Sequence, residues 1–415
     1  MENNLFITDL KIEKVRNLKK IEIKLDDDKR KHLIFTGKNG SGKTSVLEAI
    51  AFYIDNIKTI SEYQNYLKIG LDNLQFFRKN NDKINEEETE KKIVGFRKQL
   101  SNLSKGIDLL FNVSNKKIAD EIESGELIIA YYKAERVFEA DIPRQIEKVE
   151  LKDNYRMEDA PRKEFIKYLL DLKATQAFSR TGNKQEKAEK IENWFNNFEK
   201  LLQEIFDSKD LNLVFDEETF QFRLEEEGKE PFDFNTLSSG YAAVLDIIVD
   251  IIIRMEKKTG KNFKFDMQGV VLIDEIETHL HLELQKRILK ILLTIFPRIQ
   301  FIVTTHSPFI LSSLENATIY DLEKKLVVEN GLANLPYEGI VEGYFKADSL
   351  SRELREKFEE YKLLVKKEKL DGIDFEKINK LELYLDEIPD YLALDLNAVY
   401  KKLKNELRDR DDING

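Results

Sequence analysis

The hydrophobic residues of this chain fall into short runs that alternate with longer segments of helical character. Partial alternation of apolar and polar residues over 5–25 predicts two strands joined by a turn near Arg16 and Asn17. Short apolar runs bounded by turns or charges predict the other strands, and apolar residues at helical spacing predict the helices. We expect strands at 33–35, 126–132, 211–224 (a hairpin), 269–275, 300–306 and 317–329, and helices at 43–58, 60–125, 163–207 with a loop at 179–185, 237–255, 280–294 and 348–410.

One stretch, LSSGYAAVLDIIVDIIIRM at 237–255, predicts a helix that is apolar nearly all round and therefore buried. Its two acidic residues, Asp246 and Asp250, are four positions apart and so lie on one helical face. We expect them to form a polar stripe at one edge of the helix, and a catalytic role is the alternative.

The composition narrows the class of protein. Asp and Glu number 78 against 67 Lys and Arg, and this net charge of −11 argues against a molecule that binds nucleic acid through overall positive charge. The absence of cysteine excludes disulfides and thiolate metal sites. The first residues are charged where a signal peptide is apolar, and the longest apolar stretch is too short and too charged to span a bilayer. We therefore expect a cytoplasmic protein without a membrane partner.

The segment GKNGSGKT at 37–44 fits the pattern of a phosphate-binding loop, G-x-x-x-x-G-K-[ST]. Glycine permits conformations closed to residues with a Cβ, so successive N–H groups can face a phosphate where a helix begins. Lys43 can supply a cation to the β- and γ-phosphates, and the Thr44 hydroxyl can bind Mg²⁺. A chance Gly-rich turn is the alternative. The residues expected to bind nucleotide are Gly37, Lys38, Asn39, Gly40, Ser41, Gly42, Lys43, Thr44 and Ser45.

Two further strands end in side chains suited to phosphate chemistry. The run at 270–273 is followed by Asp274 and Glu275. The first carboxylate can hold Mg²⁺, and the second can orient and deprotonate an attacking water. His306 ends the next predicted strand, where it could contact the γ-phosphate and that water. The alternatives are acidic residues that merely end a strand and a structural histidine.

Ser238, Ser239 and Gly240 precede the long apolar helix. Hydroxyl and N–H groups at the start of a helix can form an anion site, because the helix dipole is positive at that end. An ordinary helix cap is the alternative role for these residues.

Taken together, GKNGSGKT, LSSGY, VVLIDE and TTHSP, in this order, resemble the ABC-type ATPase family and, within it, the SMC/RecF-like branch. The resemblance covers about residues 5–330. It implies an α/β fold of the P-loop NTPase class, with a mixed β-sheet core flanked by helices, a helical insertion and a helical C-terminal tail. ATP and Mg²⁺ are the implied cofactors, and slow, regulatory ATP hydrolysis is the implied activity.

The resemblance also implies roles for individual residues. Lys43 and Thr44 would bind the phosphates and Mg²⁺, and Asp274 would be the second Mg²⁺ ligand. Glu275 would be the catalytic base and His306 the switch histidine. Lys43, Glu275 and His306 therefore form the expected catalytic set.

Ser238–Gly240 would be the signature loop, which acts on the nucleotide bound by a second copy. A homodimer through the ATP sites, or a higher oligomer built on it, is therefore implied. Ser239 and Tyr241 depart from the common LSGGQ pattern. The family uses a glutamine near the metal, for which Gln145 is the candidate and Gln176 the alternative.

The segment IDEIETHLHLELQ at 273–285 resembles OLD-like and Septu-type (PtuA) anti-phage defence ATPases. The C-terminal region lacks the strand-borne acidic set of a Toprim domain, which favours the PtuA-like group, whose members work with a separate HNH nuclease. The implied function is regulation of such an effector. A RecF/SMC-like DNA-repair ATPase acting directly on DNA is the alternative, and a transporter subunit is disfavoured. Glu277, His279 and His281 could form a metal site, although a D-loop equivalent at a dimer seam is favoured.

The expected organisation has four segments: 1–59 and 211–345 form the ATPase domain, 60–210 a helical insertion or lid with a core strand near 127–132, and 346–415 a helical C-terminal region. Basic residues of the insertion could follow a nucleic-acid backbone, although charged helices usually face water. Apolar residues of the tail could dock a partner or pack within their own domain. The basic residues are Arg97, Lys98, Lys105, Lys116, Lys117, Arg180, Lys184 and Lys187, and the apolar ones are Leu354, Phe358, Tyr361, Leu364, Ile378, Leu381 and Leu385.

Overall fold

A six-stranded β-sheet forms the centre of the structure. Every neighbouring pair of strands is parallel except the last two at one edge, which are antiparallel. The strands next to the middle are buried along their whole length, as expected for a sheet covered on both faces. The α/β fold with a mixed sheet is thus confirmed. In spatial order the strands are β11 (Leu326–Val328), β10 (Ala317–Asp321), β3 (His32–Thr36), β9 (Ile299–Thr304), β8 (Gln268–Ile273) and β5 (Leu127–Tyr132).

The computed structural model describes residues 4–136, 145–333, 352–367, 369–386 and 394–408. The chain divides into two units, Met1–Asn334 and Leu335–Gly415. The central sheet belongs to the first unit. The domain boundary expected at residue 345 lies outside the described residues.

A three-stranded antiparallel sheet packs beside the phosphate-loop helix. β1 (Ile7–Val15) and β2 (Leu18–Lys24) form the hairpin expected around Arg16. β4 (Ile107–Phe111) pairs with the other edge of β1, and the expectation of helix over these residues was wrong. Gly106, with φ +80°, lies against the Lys14 carbonyl, and a Cβ there would sit 2.0 Å from that oxygen. This close approach starts β4, which is too short for its alternation to be distinguished from the surrounding helical pattern.

Helices and one hairpin complete the first unit. The hairpin of β6 (Asn212–Asp216) and β7 (Gln221–Glu225) lies where the sequence predicts it. The helix expected at 43–58 ends earlier, and the loop expected at 179–185 shortens to 182–184. The helices are α1 (Lys43–Asp55), α2 (Ile57–Lys79), α3 (Lys83–Ser104), α4 (Asn115–Ser124), α5 (Phe165–Thr181), α6 (Gln185–Phe206), α7 (Ser239–Thr259), α8 (Leu282–Ile295) and α9 (Pro308–Leu311).

α7 is the buried helix that its apolar sequence predicts, but its acidic residues do not form a stripe at an edge. Asp246 and Asp250 are both fully buried. Arg162 pairs with both carboxylates, and Asp250 also accepts hydrogen bonds from Arg254 Nε at 2.7 Å and Tyr132 Oη at 2.8 Å. Charges buried this deeply are stable only when paired, so the two arginines are what allows an acidic pair inside this helix.

The second unit is helical. Among its described residues, α10 (Arg352–Val365), α11 (Gly372–Asp386) and α12 (Leu394–Arg408) share one apolar core. The Tyr361 hydroxyl donates to Glu382 at 2.8 Å within it. For the apolar residues of the tail, the sequence left two alternatives, docking a partner or packing within their own domain. The structure shows the second, because these residues pack within their own unit. Its buried members are Tyr361, Val365, Ile378, Leu381, Leu385, Tyr400, Leu403 and Leu407.

None of the helices in the described ranges has the length and apolar character needed to cross a membrane. The most apolar long helix, α7, is interrupted by its buried aspartates and by Arg254.

Candidate nucleotide-binding site

The loop between β3 and α1 has the backbone geometry of an anion cradle. Gly37, Gly40 and Gly42 have φ values of +130°, +80° and +101°, in the region that glycine adopts without strain. A Cβ on Gly37 would meet the Ser41 hydroxyl at 3.0 Å and the backbone nitrogen of Glu323 at 3.2 Å. The loop is therefore held tight against the chain that follows β10, and glycine is required at 37 by space as well as by conformation.

Lys43 lies inside this loop. Its side chain is buried, and Nζ donates to the carbonyl of Gly37 at 2.8 Å and of Lys38 at 3.3 Å. Burial lowers the pKa of Lys43, and nearby carboxylates, chiefly that of Glu275, oppose that shift. The ammonium thus stays within the loop, on the side where the acidic strand ends lie.

The first turn of α1 leaves its N–H groups available. Gly42 is the N-cap and provides no capping side chain. Thr44 is exposed and Ser45 half-buried, so the Thr44 hydroxyl is accessible to a metal ion. Within the described part of the chain, the buried hydroxyls of Thr36 and Ser41 have no partner. Free donors around a lysine are the complement of a polyphosphate, so these residues fit a nucleoside triphosphate with Mg²⁺.

The other residues of the loop face outward. Lys38 pairs with Glu323 at 2.8 Å, and both side chains are exposed. Asn39 and Gly40 are also exposed, and a Cβ on Gly40 would meet nothing within 4 Å. Glycine at 40 is therefore required by its positive φ rather than by packing.

Three adjacent parallel strands bring the predicted catalytic residues to one edge of the sheet. β9 lies between β3 and β8. The phosphate loop follows β3, Asp274 follows β8, and His306 lies two residues beyond β9. Because all three strands are parallel, their carboxyl ends meet at the same edge, which is where α/β sheets bind ligands.

The Thr304 hydroxyl ties the end of β9 to the end of β8. Its Oγ1 donates to Asp274 Oδ1 at 2.6 Å and accepts the N–H of Glu275 at 2.7 Å. Asp274 and Thr304 are both buried, whereas Glu275 is half-buried. The sequence did not identify Thr304 as part of the site; its position at the end of an apolar strand next to the histidine motif is the available signal.

Glu275 occupies a strained turn. Its φ of +43° is in the left-handed region, which costs a non-glycine residue about 1–3 kcal/mol. Strain of this kind persists where the surroundings hold the residue in place, and it is concentrated at functional sites. The turn stays tied to the end of β9, because the N–H groups of Glu275 and Ile276 donate to the hydroxyl and the carbonyl of Thr304.

A carboxylate holds the backbone of His306. Its N–H donates to Glu277 Oε1 at 2.5 Å. The ring Nε2 and the second oxygen of Glu277 are buried, and neither has a partner among the residues that the structure describes. Burial and then the charge of Lys43 lower the pKa of His306, so the imidazole is neutral at neutral pH. A neutral ring with a free nitrogen can exchange a hydrogen bond with a phosphoryl oxygen or a water.

Arg136 is a second residue of this region that the sequence did not identify. Its side chain is buried, and Nη1 donates to the carbonyls of Lys133 at 2.9 Å and Asp274 at 2.7 Å. Nη2 donates to the carbonyl of Glu275 at 3.0 Å and, more weakly, to that of Ile276 at 3.4 Å. A lone arginine just after an apolar strand has no periodic signature, and only the pairing of β5 with β8 brings it here.

The glutamines proposed for the metal site remain predictions. Gln145 is exposed, and its amide donates to the carboxylate of Glu147. Gln176 is buried within α5. Arg136, rather than either glutamine, makes the described contacts with the turn after β8.

The signature residues lie at the start of α7. Ser238 is the N-cap, but its side chain caps no N–H group, and both Ser238 and Ser239 are exposed. Gly240 is buried, and a Cβ there would lie 2.9 Å from the His279 carbonyl. Tyr241 stacks on Phe206 of α6 with ring centroids 4.2 Å apart. The two serines thus face solvent from a firmly anchored helix end.

The alternative metal site at Glu277, His279 and His281 does not form. No group of three or more potential ligands is present anywhere in the described part of the chain. Glu277 binds the backbone of His306, and the ring of His281 contacts Tyr241 edge-on with centroids 5.8 Å apart. The segment forms the turn into α8, so the expected helix start is present, and its place at a dimer seam stays a prediction.

Comparison with known proteins identifies the family. The sequence profile described as "AAA domain, putative AbiEii toxin, Type IV TA system" matches residues 33–312, about two thirds of the chain. The chain belongs to this AAA family. The matched region runs from β3 to the end of α9 and includes Lys43, Asp274 and His306. The AAA domain of this chain is therefore the nucleotide-binding part that the geometry indicates, built on the ABC-type arrangement of motifs.

Named relatives of this AAA protein extend the comparison. The chain is 26% identical over 432 residues to Septu protein PtuA of Bacillus mycoides, covering 98% of this chain and 55% of the relative. It is 26% identical over 379 residues to the retron Vc95 probable ATPase of Vibrio cholerae, covering 72% and 70%. The chain thus spans about half the length of that Septu protein.

A solved SMC head bound to the C-terminal winged-helix domain of ScpA aligns with 76% of this chain and 94% of its own, at 13% identity and a TM-score of 0.39.

Proposed function

We propose that this chain is a Mg²⁺-dependent ATPase of the ABC type. The observation that carries the proposal is the convergence of the Lys43 loop, Asp274 and His306 at the ends of β3, β8 and β9, three adjacent parallel strands. Unpartnered buried groups at this edge, including the Ser41 hydroxyl and His306 Nε2, support a phosphate ligand. Buried polar atoms are rarely left unpaired unless a ligand or water completes them.

Each residue has a task in this proposal. Lys43 and the N–H groups of the loop bind the β- and γ-phosphates, and Thr44 and Asp274 hold Mg²⁺. The metal ion, when bound, stabilises negative charge on the phosphoryl oxygens. Glu275 orients the attacking water and accepts its proton, while the neutral His306 ring offers Nε2 to the γ-phosphoryl oxygen or the water.

ATP binding is proposed to join two copies. The exposed hydroxyls of Ser238 and Ser239 stand at the positive end of α7 and cap none of its N–H groups, so they are free to meet the γ-phosphate bound by a second copy. ADP would lack that contact. The paired state would therefore bind ATP more tightly than ADP. This difference in affinity is the sole source of a switch, so hydrolysis would loosen the dimer.

The proposed biological role is regulation of an effector, in particular a nuclease, in anti-phage defence. The names of the Septu and retron relatives support this role. The slow turnover of a regulatory ATPase would set how long the paired state persists. A DNA-repair ATPase that acts directly on DNA is the competing function, and the same protein preparation tests both.

The experiment compares wild type with Glu275→Gln and Lys43→Ala. Glu275→Gln keeps the size of the side chain and removes the base, so turnover should fall by about 10²–10⁴-fold while ATP binding persists. By sedimentation velocity, this variant should be a dimer with Mg²⁺-ATP and a monomer without it. Lys43→Ala is the matched control and should lose nucleotide binding.

Each result has a consequence. A wild-type protein with no affinity for Mg²⁺-ATP would refute the ATPase, and one sedimentation coefficient for Glu275→Gln with and without ATP would refute the dimer switch. Stimulation of turnover by DNA in the protein alone would favour the repair function. Protection of cells from phage by the chain together with its genomic neighbours, lost in Lys43→Ala, would support the defence role.

A further inference from the structure

Arg136 holds the turn that carries the proposed base. Its guanidinium binds the carbonyls of Asp274, Glu275 and Ile276, three consecutive residues at the end of β8. It also binds the carbonyl of Lys133, which anchors it to its own loop after β5. Arg136 therefore spans two strand ends, and one of them is strained at Glu275.

The planar guanidinium is suited to this arrangement. Its N–H groups project in a fixed fork, so several carbonyls can be held at fixed relative positions. A lysine ammonium has its three donors on one nitrogen, so it cannot reproduce the spread of the two guanidinium nitrogens that reach four carbonyls here. The contact is thus sensitive to a change from arginine to lysine that preserves charge.

We propose that Arg136 is a positioning residue for ATP hydrolysis, which holds the 274–276 turn so that Glu275 faces the water. The inference rests on the proposed ATPase function. The described contacts of the Arg136 guanidinium are with backbone carbonyls, three of them in this turn, so the effect is on turnover rather than on binding.

The test compares Arg136→Lys with Arg254→Lys in the full chain. Arg254 is an equally buried arginine that donates to the carbonyls of Ile129 at 2.9 Å and Arg156 at 3.0 Å, away from the 274–276 turn. Arg136→Lys should lower kcat by about tenfold or more, as loss of a supporting hydrogen-bond partner does, with KM for ATP changed by less than about twofold. Arg254→Lys should keep kcat within about threefold of the wild-type value. This should hold even if its thermal unfolding midpoint falls by as much as that of Arg136→Lys.

A second variant, Arg136→Gln, keeps two N–H donors on a shorter, neutral side chain and removes the guanidinium fork. It should also lower kcat without changing the affinity for Mg²⁺-ATP measured by calorimetry. This variant decides the matter if Arg136→Lys does not fold.

Several outcomes would overturn the inference. Equal loss of kcat in Arg136→Lys and Arg254→Lys would mean a general structural effect. A raised KM with unchanged kcat would place Arg136 in binding. If wild type hydrolyses ATP and Arg136→Lys does so equally well, this inference alone falls. If wild type does not hydrolyse ATP at all, the proposed function falls with it.

Discussion

Thr304 offers a sharp test of how the strand ends are held together. Its hydroxyl donates to Asp274 Oδ1 at 2.6 Å and accepts from the Glu275 N–H at 2.7 Å, in a fully buried position. Thr304→Val replaces the hydroxyl by a methyl group of similar size, so no cavity is created. The change therefore isolates the two hydrogen bonds from packing.

The expected magnitude follows from the two bonds. A hydrogen bond to a charged acceptor contributes about 1.5–3 kcal/mol, and an unpaired buried N–H costs about 1–3 kcal/mol. The free energy of unfolding should fall by at least about 2.5 kcal/mol, which lowers the urea midpoint by roughly 1 M at an m-value of about 3 kcal/mol/M. Turnover of ATP should fall by about 10–100-fold, the usual effect of removing a partner that orients a metal ligand.

The control is Thr304→Ser, which keeps both hydrogen bonds and loses one methyl group, at a cost of about 1 kcal/mol. Unfolding is followed by fluorescence of Trp194, the single tryptophan, which is buried in the first unit and reports on it alone. Equal urea midpoints and equal turnover for the valine and serine variants would refute the proposed bridge between the strand ends.

Two further predictions concern α7. Burial raises the pKa of Glu256 from 4.5 to about 7, so the folded state retains a proton that the unfolded chain releases, and stability rises as the pH falls through this window. The free energy of unfolding of the wild type should rise by about 2–3 kcal/mol between pH 8 and pH 5, measured by urea unfolding followed by circular dichroism. Glu256→Gln should lose that pH dependence. Parallel pH profiles for the two proteins would contradict this prediction. Gly240→Ala places a Cβ 2.9 Å from the His279 carbonyl and should abolish ATP-dependent pairing while ATP binding persists. The control is Gly95→Ala in α3, where a Cβ meets nothing within 4 Å, and it should add up to about 1 kcal/mol of helix stability. If Gly240→Ala pairs like wild type, the close approach of Gly240 to the His279 carbonyl is not needed for pairing.

The strand ends show how far sequence reasoning reaches. Lys43, Asp274 and His306 could each be predicted because each follows a short apolar run, and parallel strands bring such positions to one edge. β4 was missed because five residues are too few for alternation to stand out among helical neighbours. Asp246 and Asp250 were misplaced because their partners, Arg162 and Arg254, are assigned by packing rather than by spacing alone.

The sequence by itself determined the phosphate loop, the order of the motifs and the burial of α7, since each depends on residues that are neighbours along the chain. Only the tertiary structure decided which side chains hold the turn that carries Glu275. They are Arg136, which follows β5 on one side, and Thr304, which ends β9 on the other. The physical reason is that a buried carbonyl or N–H needs a partner from whichever segment packs against it. No local pattern of hydrophobic and polar residues specifies that segment.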